Sequence, residues 1–122
     1  EPGVQVVHQC DEKDLCSDDE NCPYLCSGCI AFRNDPALLE CLTYSDEDIV
    51  RYASDQHFLR ASFRNADVRH RSLDKILFPN GSSYISHFQT LGQACLLHFN
   101  YMVGGEKKAR MKMMRLWYLD DD

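Results

Sequence analysis

Six of the chain's seven cysteines fall between residues 10 and 41, in the run CDEKDLCSDDENCPYLCSGCIAFRNDPALLEC. The residues around them are polar, acidic and rich in turn formers, so this part of the chain has too little apolar surface to close a core of its own. Such a segment stays ordered only when covalent bridges or a metal hold it. The spacing is C-x5-C-x5-C-x3-C-x2-C-x11-C. An even cluster threaded through turn residues is the habit of small extracellular modules. The first expectation is therefore a disulfide framework of Cys10, Cys16, Cys22, Cys26, Cys29 and Cys41, with a connectivity that spacing does not choose. Structural zinc usually takes two close pairs of ligands, and a second clean pair is missing here. Zinc on Cys22, Cys26, Cys29 and Cys41 remains the alternative, with His8 and Cys10 as a further half site. No other cofactor is expected.

Asn80-Gly81-Ser82 is an N-glycosylation acceptor in a predicted surface turn, which again points outside the cell. Cys95, between Ala94 and Leu96, reads as a small buried hydrophobe; the sharper alternative for a leftover cysteine is an intermolecular bridge. Cys26-Ser27-Gly28-Cys29 has the spacing of a thioredoxin-type redox pair, but it lacks the preceding strand and following helix that such chemistry wants. No apolar run approaches the roughly 20 residues that span a bilayer, so no membrane insertion is expected. A chain beginning at Glu1 rather than Met is expected of a processed or excised product, so a missing leader carries no weight against secretion.

Charge is distributed unevenly. Residues 1–50 carry twelve acids and two bases, whereas residues 51–119 carry eleven bases and four acids, and the net charge is -6. A chain of this kind offers two patches of opposite sign. The sharpest basic cluster is Lys107, Lys108, Arg110, Lys112 and Arg115, interleaved with methionines and Trp117. It is either a core element with a solvated basic face or a partner-binding surface. An acidic N-terminal half and the lack of a recognition fold argue against nucleic acid.

Element signals are clearest in the middle of the chain. Residues 4–7 read as a short strand. Asp35 before Pro36 starts one helix, with Leu38, Leu39 and Cys41 facing inward. Ser45, with Asp48 three residues on, starts a second, where Ile49, Tyr52, Ala53, Leu59 and Phe63 fall at helical spacing over about four turns. Residues 94–119 admit two readings, because Leu97, Phe99, Tyr101 and Val103 alternate with polar residues on one side of Gly104-Gly105, and Ala109, Met111 and Met113 do so on the other. That period-two pattern favours a hairpin over helices. The expected fold is α+β, a disulfide-rich segment over residues 1–43 followed by a helix and an antiparallel sheet over residues 44–122. An all-α helical domain is the alternative.

Three short stretches resemble pieces of extracellular interaction modules. Asp11, Asp14, Asp18, Asp19 and Glu20 could supply oxygens to calcium, although a solvated acidic loop is the plainer reading, and the acidic run around Cys10, Cys16 and Cys22 resembles half of an LDL-receptor class A module. Cys22, Cys26 and Cys29 with Asp35-Pro36 resemble a plexin-semaphorin-integrin module. Residues 93–102, QACLLHFNYM, resemble a strand of MAM-type sandwiches. The five histidines and the serines sit in no catalytic pattern, so no enzyme is expected. The function expected is that of a secreted or ectodomain module that binds another protein, through its acidic half or its basic 107–115 face. An intracellular, zinc-stabilised adaptor is the competing expectation.

Overall fold

The computed structural model describes residues 3–11, 24–86 and 92–119. The fold is α+β: among the described residues, a three-stranded sheet in the order β2-β1-β3, with five helices. Strand β1 is Val6–Cys10, β2 is Leu25–Phe32 and β3 is His70–Ser72. β1 pairs antiparallel with β2 and parallel with β3, so the sheet is mixed rather than wholly antiparallel as expected. The central strand is buried at Val6, His8, Gln9 and Cys10, because chain covers it on both edges and both faces. That is why it shows no alternation in the sequence.

Helix α1 (Pro36–Cys41) starts as expected, with the Asp35 carboxylate accepting from the Ala37 amide at 3.0 Å. Of its apolar residues Leu38 is buried, Cys41 is half-buried and Leu39 is exposed. Helix α2 (Asp46–Arg51) carries the Ser45–Asp48 capping box. The expected four-turn helix is in fact two. Tyr52 is extended and ends α2, and Ser54 caps α3 (Asp55–Asn65) by accepting from the His57 amide at 3.3 Å. A serine that can bond the next turn's amide offers the backbone a fresh start, and here it overrides the apolar spacing. The split turns Ile49 outward, while Leu59 and Phe63, one turn apart, still face the core.

That core is Val6, Leu25, Leu38, Phe63 and Val68, with Ile30, Cys41, Leu42 and Leu59 packed against it. It draws on both sides of the 43/44 boundary, and so does the β1–β3 pairing.

The expected hairpin over residues 94–119 is not formed. Residues 104–113 are helix α5 (Gly104–Met113), opened by Gly104 at φ +54°, with Glu106 in the first turn and Arg110 and Lys112 in the last. Glu, Lys, Ala, Arg and Met all favour helix, and the end charges suit its dipole. Before it, residues 97–103 make one parallel bridge, His98 to Asn80, and Tyr101 turns to φ +61°. The alternation fails because His98 and Asn100, polar and expected to face outward, point inward to polar partners. The expected surface turn at Asn80 is also corrected. Asn80 is only 3% exposed, donating to the Cys10 carbonyl at 3.2 Å and accepting from the Ser83 amide at 2.9 Å as helix α4 (Gly81–Ser86) begins. Among the described residues no helix is long and apolar enough to cross a membrane.

Candidate functional site

Polar chemistry gathers at one end of β1. The register between β1 and β2 jumps, His8 facing Ile30 and Gln9 facing Cys26, so Ser27, Gly28 and Cys29 are looped out. Over this bulge lies His98. Glycine at position 28 lets the ring come this close, because a Cβ would clash with His98 Cε1 and push the ring aside. His98 Nδ1 is 3.4 Å from Cys26 Sγ and 3.2 Å from Gln9 Oε1. Gln9, fully buried, donates through Nε2 to the carbonyls of Phe78 (2.9 Å) and Pro79 (2.7 Å). Those two acceptors fix the amide's orientation, so its oxygen faces His98 and can only accept. The His98 proton therefore sits on Nδ1.

Asp11 closes the other side. Its carboxylate accepts from Asn100 Nδ2 at 2.5 Å and from Gln56 Nε2 of α3 at 2.8 Å, and the Tyr101 hydroxyl donates to its carbonyl. Burial first, then the Asp11 charge, pushes the Tyr101 phenol up to about 12; the ring is half exposed, but its hydroxyl lies against Asp11. Burial also pushes the Cys26 thiol up, and the amides of Gly28 and Cys29 bonding the sulfur pull it back. Burial raises the Cys29 thiol as well.

A histidine pair lies behind the strand. His8 Nδ1 donates to the Gln9 carbonyl at 2.9 Å, which leaves Nε2 to accept from His70 Nδ1 at 3.0 Å. Protonating His8 would set two N–H groups against each other. His8, His70 and His98 all titrate below an ordinary imidazole, with burial the first cause in each. The unfolded chain takes up these protons near pH 6.5, about the free imidazole value, and the folded chain only below it. The stability that rests on neutral rings is thus complete above about pH 6.5 and is lost as pH falls through the folded values. We expect the urea midpoint to drop between about pH 7.5 and pH 5 with little change in slope. A flat profile would mean that the rings are solvated.

Among the expected disulfide residues, Cys26, Cys29 and Cys41 are free thiols, Cys10 is disulfide-bonded, and Cys16 and Cys22 lie outside the described residues. The alternative zinc set shares that limit at Cys22. Among the described residues no group of three or more His, Cys, Asp or Glu side chains is arranged to hold a metal. Cys41 stands apart, its thiol donating to the Ala37 carbonyl at 3.4 Å. Cys95, expected to be buried, is exposed and free. Lys107, Lys108, Arg110 and Lys112 ride on α5 and Arg115 follows it, with Lys108 Nζ 5.2 Å above the Trp117 ring. Of the candidate calcium ligands, Asp11 is bonded as above, while Asp14, Asp18, Asp19 and Glu20 lie outside the described residues. Sequence reasoning missed Gln9 and the inward turn of His98. The available signal was a glutamine inside an apolar strand.

Comparison of the chain with known protein families, with curated proteins and with solved structures finds no match.

Proposed function

We propose that this chain is an extracellular interaction module that docks a basic, amphipathic segment of another protein between α2 and α3. The observation that carries the reading is a cavity of about 310 Å³ lined by Tyr44, Ile49, Tyr52 and Phe58 and edged by Asp48 and Asp55. Tyr44 and Tyr52 meet Phe58 edge-on at 6.1 and 5.7 Å, which gives the groove an aromatic floor. Tyr44 is 64% and Ile49 61% exposed, far more than two residues of this size need to be beside an available core. Exposed apolar surface with a polar rim marks docking sites. Asp46 and Glu47, in the first turn of α2, add negative charge to the same helix and favour a cationic partner. The extracellular part of the reading rests on the cysteine density and on the Cys10 disulfide.

The other surface offered by the sequence, the basic face of α5, has less to recommend it. No residue of α5 is buried, and Lys107, Lys108 and Arg110 are already half-covered.

The test uses a fluorescein-labelled synthetic peptide with lysine and leucine at helical spacing, followed by anisotropy. Tyr44→Ser with Ile49→Ser should weaken binding about tenfold or more, the loss expected when anchors leave an interface. Val50→Ser, 88% exposed, should change nothing. Asp46→Asn with Glu47→Gln should flatten the salt dependence. Neutralising Lys107, Lys108, Arg110, Lys112 and Arg115 should leave binding intact. Loss of binding in that last variant, or equal binding by all variants, would overturn the groove assignment.

A further inference from the structure

We propose that Cys26 and Cys29 form a thiol–disulfide exchange site for small disulfides of the glutathione type, with Cys29 attacking first and Cys26 resolving. The geometry of the bulge is the starting point. His8 and Gln9 are chain neighbours, with Cα atoms about 3.8 Å apart. Their cross-strand partners, Ile30 and Cys26, are four positions apart, so the three looped residues must close over a gap meant for none. Cys29 adjoins Ile30. The loop therefore folds Cys29 back toward Cys26, and a bridge between the two asks for Cα atoms roughly 4.4–6.8 Å apart. Both thiols are free, and each feels the other: Cys29 is among the groups that act electrostatically on Cys26.

The two sulfurs are not equivalent. Cys26 is 2% exposed and sealed beneath His98, whereas Cys29 is half-buried and reachable from solvent. A disulfide RSSR can therefore meet Cys29 only. In the first step the Cys29 thiolate attacks one sulfur, the S–S bond breaks, and RS⁻ leaves, giving Cys29–S–S–R. In the second step the Cys26 thiolate attacks the Cys29 sulfur and expels the other RS⁻. The protons shed by the two cysteines end on the two departing thiolates. The pair loses two electrons in forming one disulfide, and RSSR gains them in becoming two RSH.

The surroundings of Cys26 suit the resolving role. Its sulfur is bonded by the backbone amides of Gly28 and Cys29 and faces the Nδ1–H of His98. The Gln9 amide, locked by the Phe78 and Pro79 carbonyls, keeps that proton on Nδ1. Burial raises this thiol overall, and the two amides, with the His98 N–H shared between Gln9 and the sulfur, offset part of that as the thiolate forms to attack. Gly28 lets the ring come that close.

The experiment exposes the full chain, with Cys26 and Cys29 reduced, to oxidised glutathione. Samples are quenched in acid, alkylated and mapped by peptide mass spectrometry. The expected product is a Cys26–Cys29 disulfide. Cys26→Ser should accumulate the glutathione adduct on Cys29 at the wild-type initial rate. Cys29→Ser should acquire an adduct on Cys26 about tenfold more slowly or not at all, since access to the attacking thiol sets the rate. His98→Gln, checked for folding by circular dichroism, should form the Cys29 adduct normally but resolve it about tenfold more slowly. A purely structural role for His98 would not separate the two steps. A wild-type adduct that stays on Cys29 beside a free Cys26, or pairing of either residue with another cysteine, would overturn the proposal.

Discussion

Phe63→Ala is expected to cost about 3–5 kcal/mol, the usual range for removing a buried phenylalanine. Phe63 is 2% exposed at the centre of a core that has, among the described residues, four other buried members. It is also the element by which α3 reaches the sheet, one turn beyond Leu59 and within 6.3 Å of the His70 ring on β3. A core this small cannot collapse around the missing ring, because β1 is already pinned on both edges. Domains of this size are stable by roughly 5–15 kcal/mol, so the variant should be partly unfolded at moderate urea or warm temperature. Urea titration checks it, the expected result being a large fall in midpoint with an unchanged slope. Val50→Ala is the contrast, since that side chain is 88% exposed and should cost almost nothing. A loss at Phe63 below about 1 kcal/mol would mean that the core lies elsewhere.

The same contrast explains which parts of the fold were readable in the sequence. Helix starts at Asp35 and Ser45 were legible because a cap is a local contract between one side chain and an amide two or three residues on. Phe63 was legible because helical spacing outlasts an error in the helix boundary. The hairpin at residues 94–119 was misread for the opposite reason. Period two says which side chains lie on one side of an extended chain, but a strand also needs a partner, and only distant residues supply one. His98 and Asn100 carried the polar half of the alternation, and the fold spends both on buried contacts with Gln9 and Asp11, about ninety positions away. Nothing within a short window encodes that.

The candidate site divides along the same line. Cys26 and Cys29 stand out by spacing alone, yet what distinguishes them is a register jump against β1 and a ring from residue 98. Asn80 illustrates the reverse. Asn-Gly is a strong local turn signal, but here the side chain caps α4 and bonds β1, so tertiary contacts bury it.

Gln9→Leu should be the most damaging polar substitution among the described residues, because Gln9 is where these long-range contacts converge. Leucine nearly fills the same space, so little packing is lost. What is lost is pairing: the carbonyls of Phe78 and Pro79 lose the donor seen at 2.9 and 2.7 Å, and the Nδ1–H of His98 keeps only the Cys26 sulfur at 3.4 Å. Each buried polar group left unsatisfied costs about 1–3 kcal/mol, which gives a total near that of Phe63→Ala by an unrelated route. The damage should also be local. Amide hydrogen exchange should accelerate at residues 78–83 and 98–102, the segments that Gln9 ties to the sheet, while α3 and β2 keep most of their protection. Gln9→Glu sharpens the argument. Its ionised carboxylate would turn an oxygen toward two carbonyls and would be stable only when protonated, so the folded pKa should lie above that of a free glutamate. The folded state then binds a proton that the unfolded state releases, and stability should rise as pH falls through that raised value. The histidines would pull the other way at lower pH. Gln9→Glu should thus show a stability maximum shifted toward acid relative to the wild type, and a profile parallel to the wild type would show that the amide does not face the Phe78 and Pro79 carbonyls.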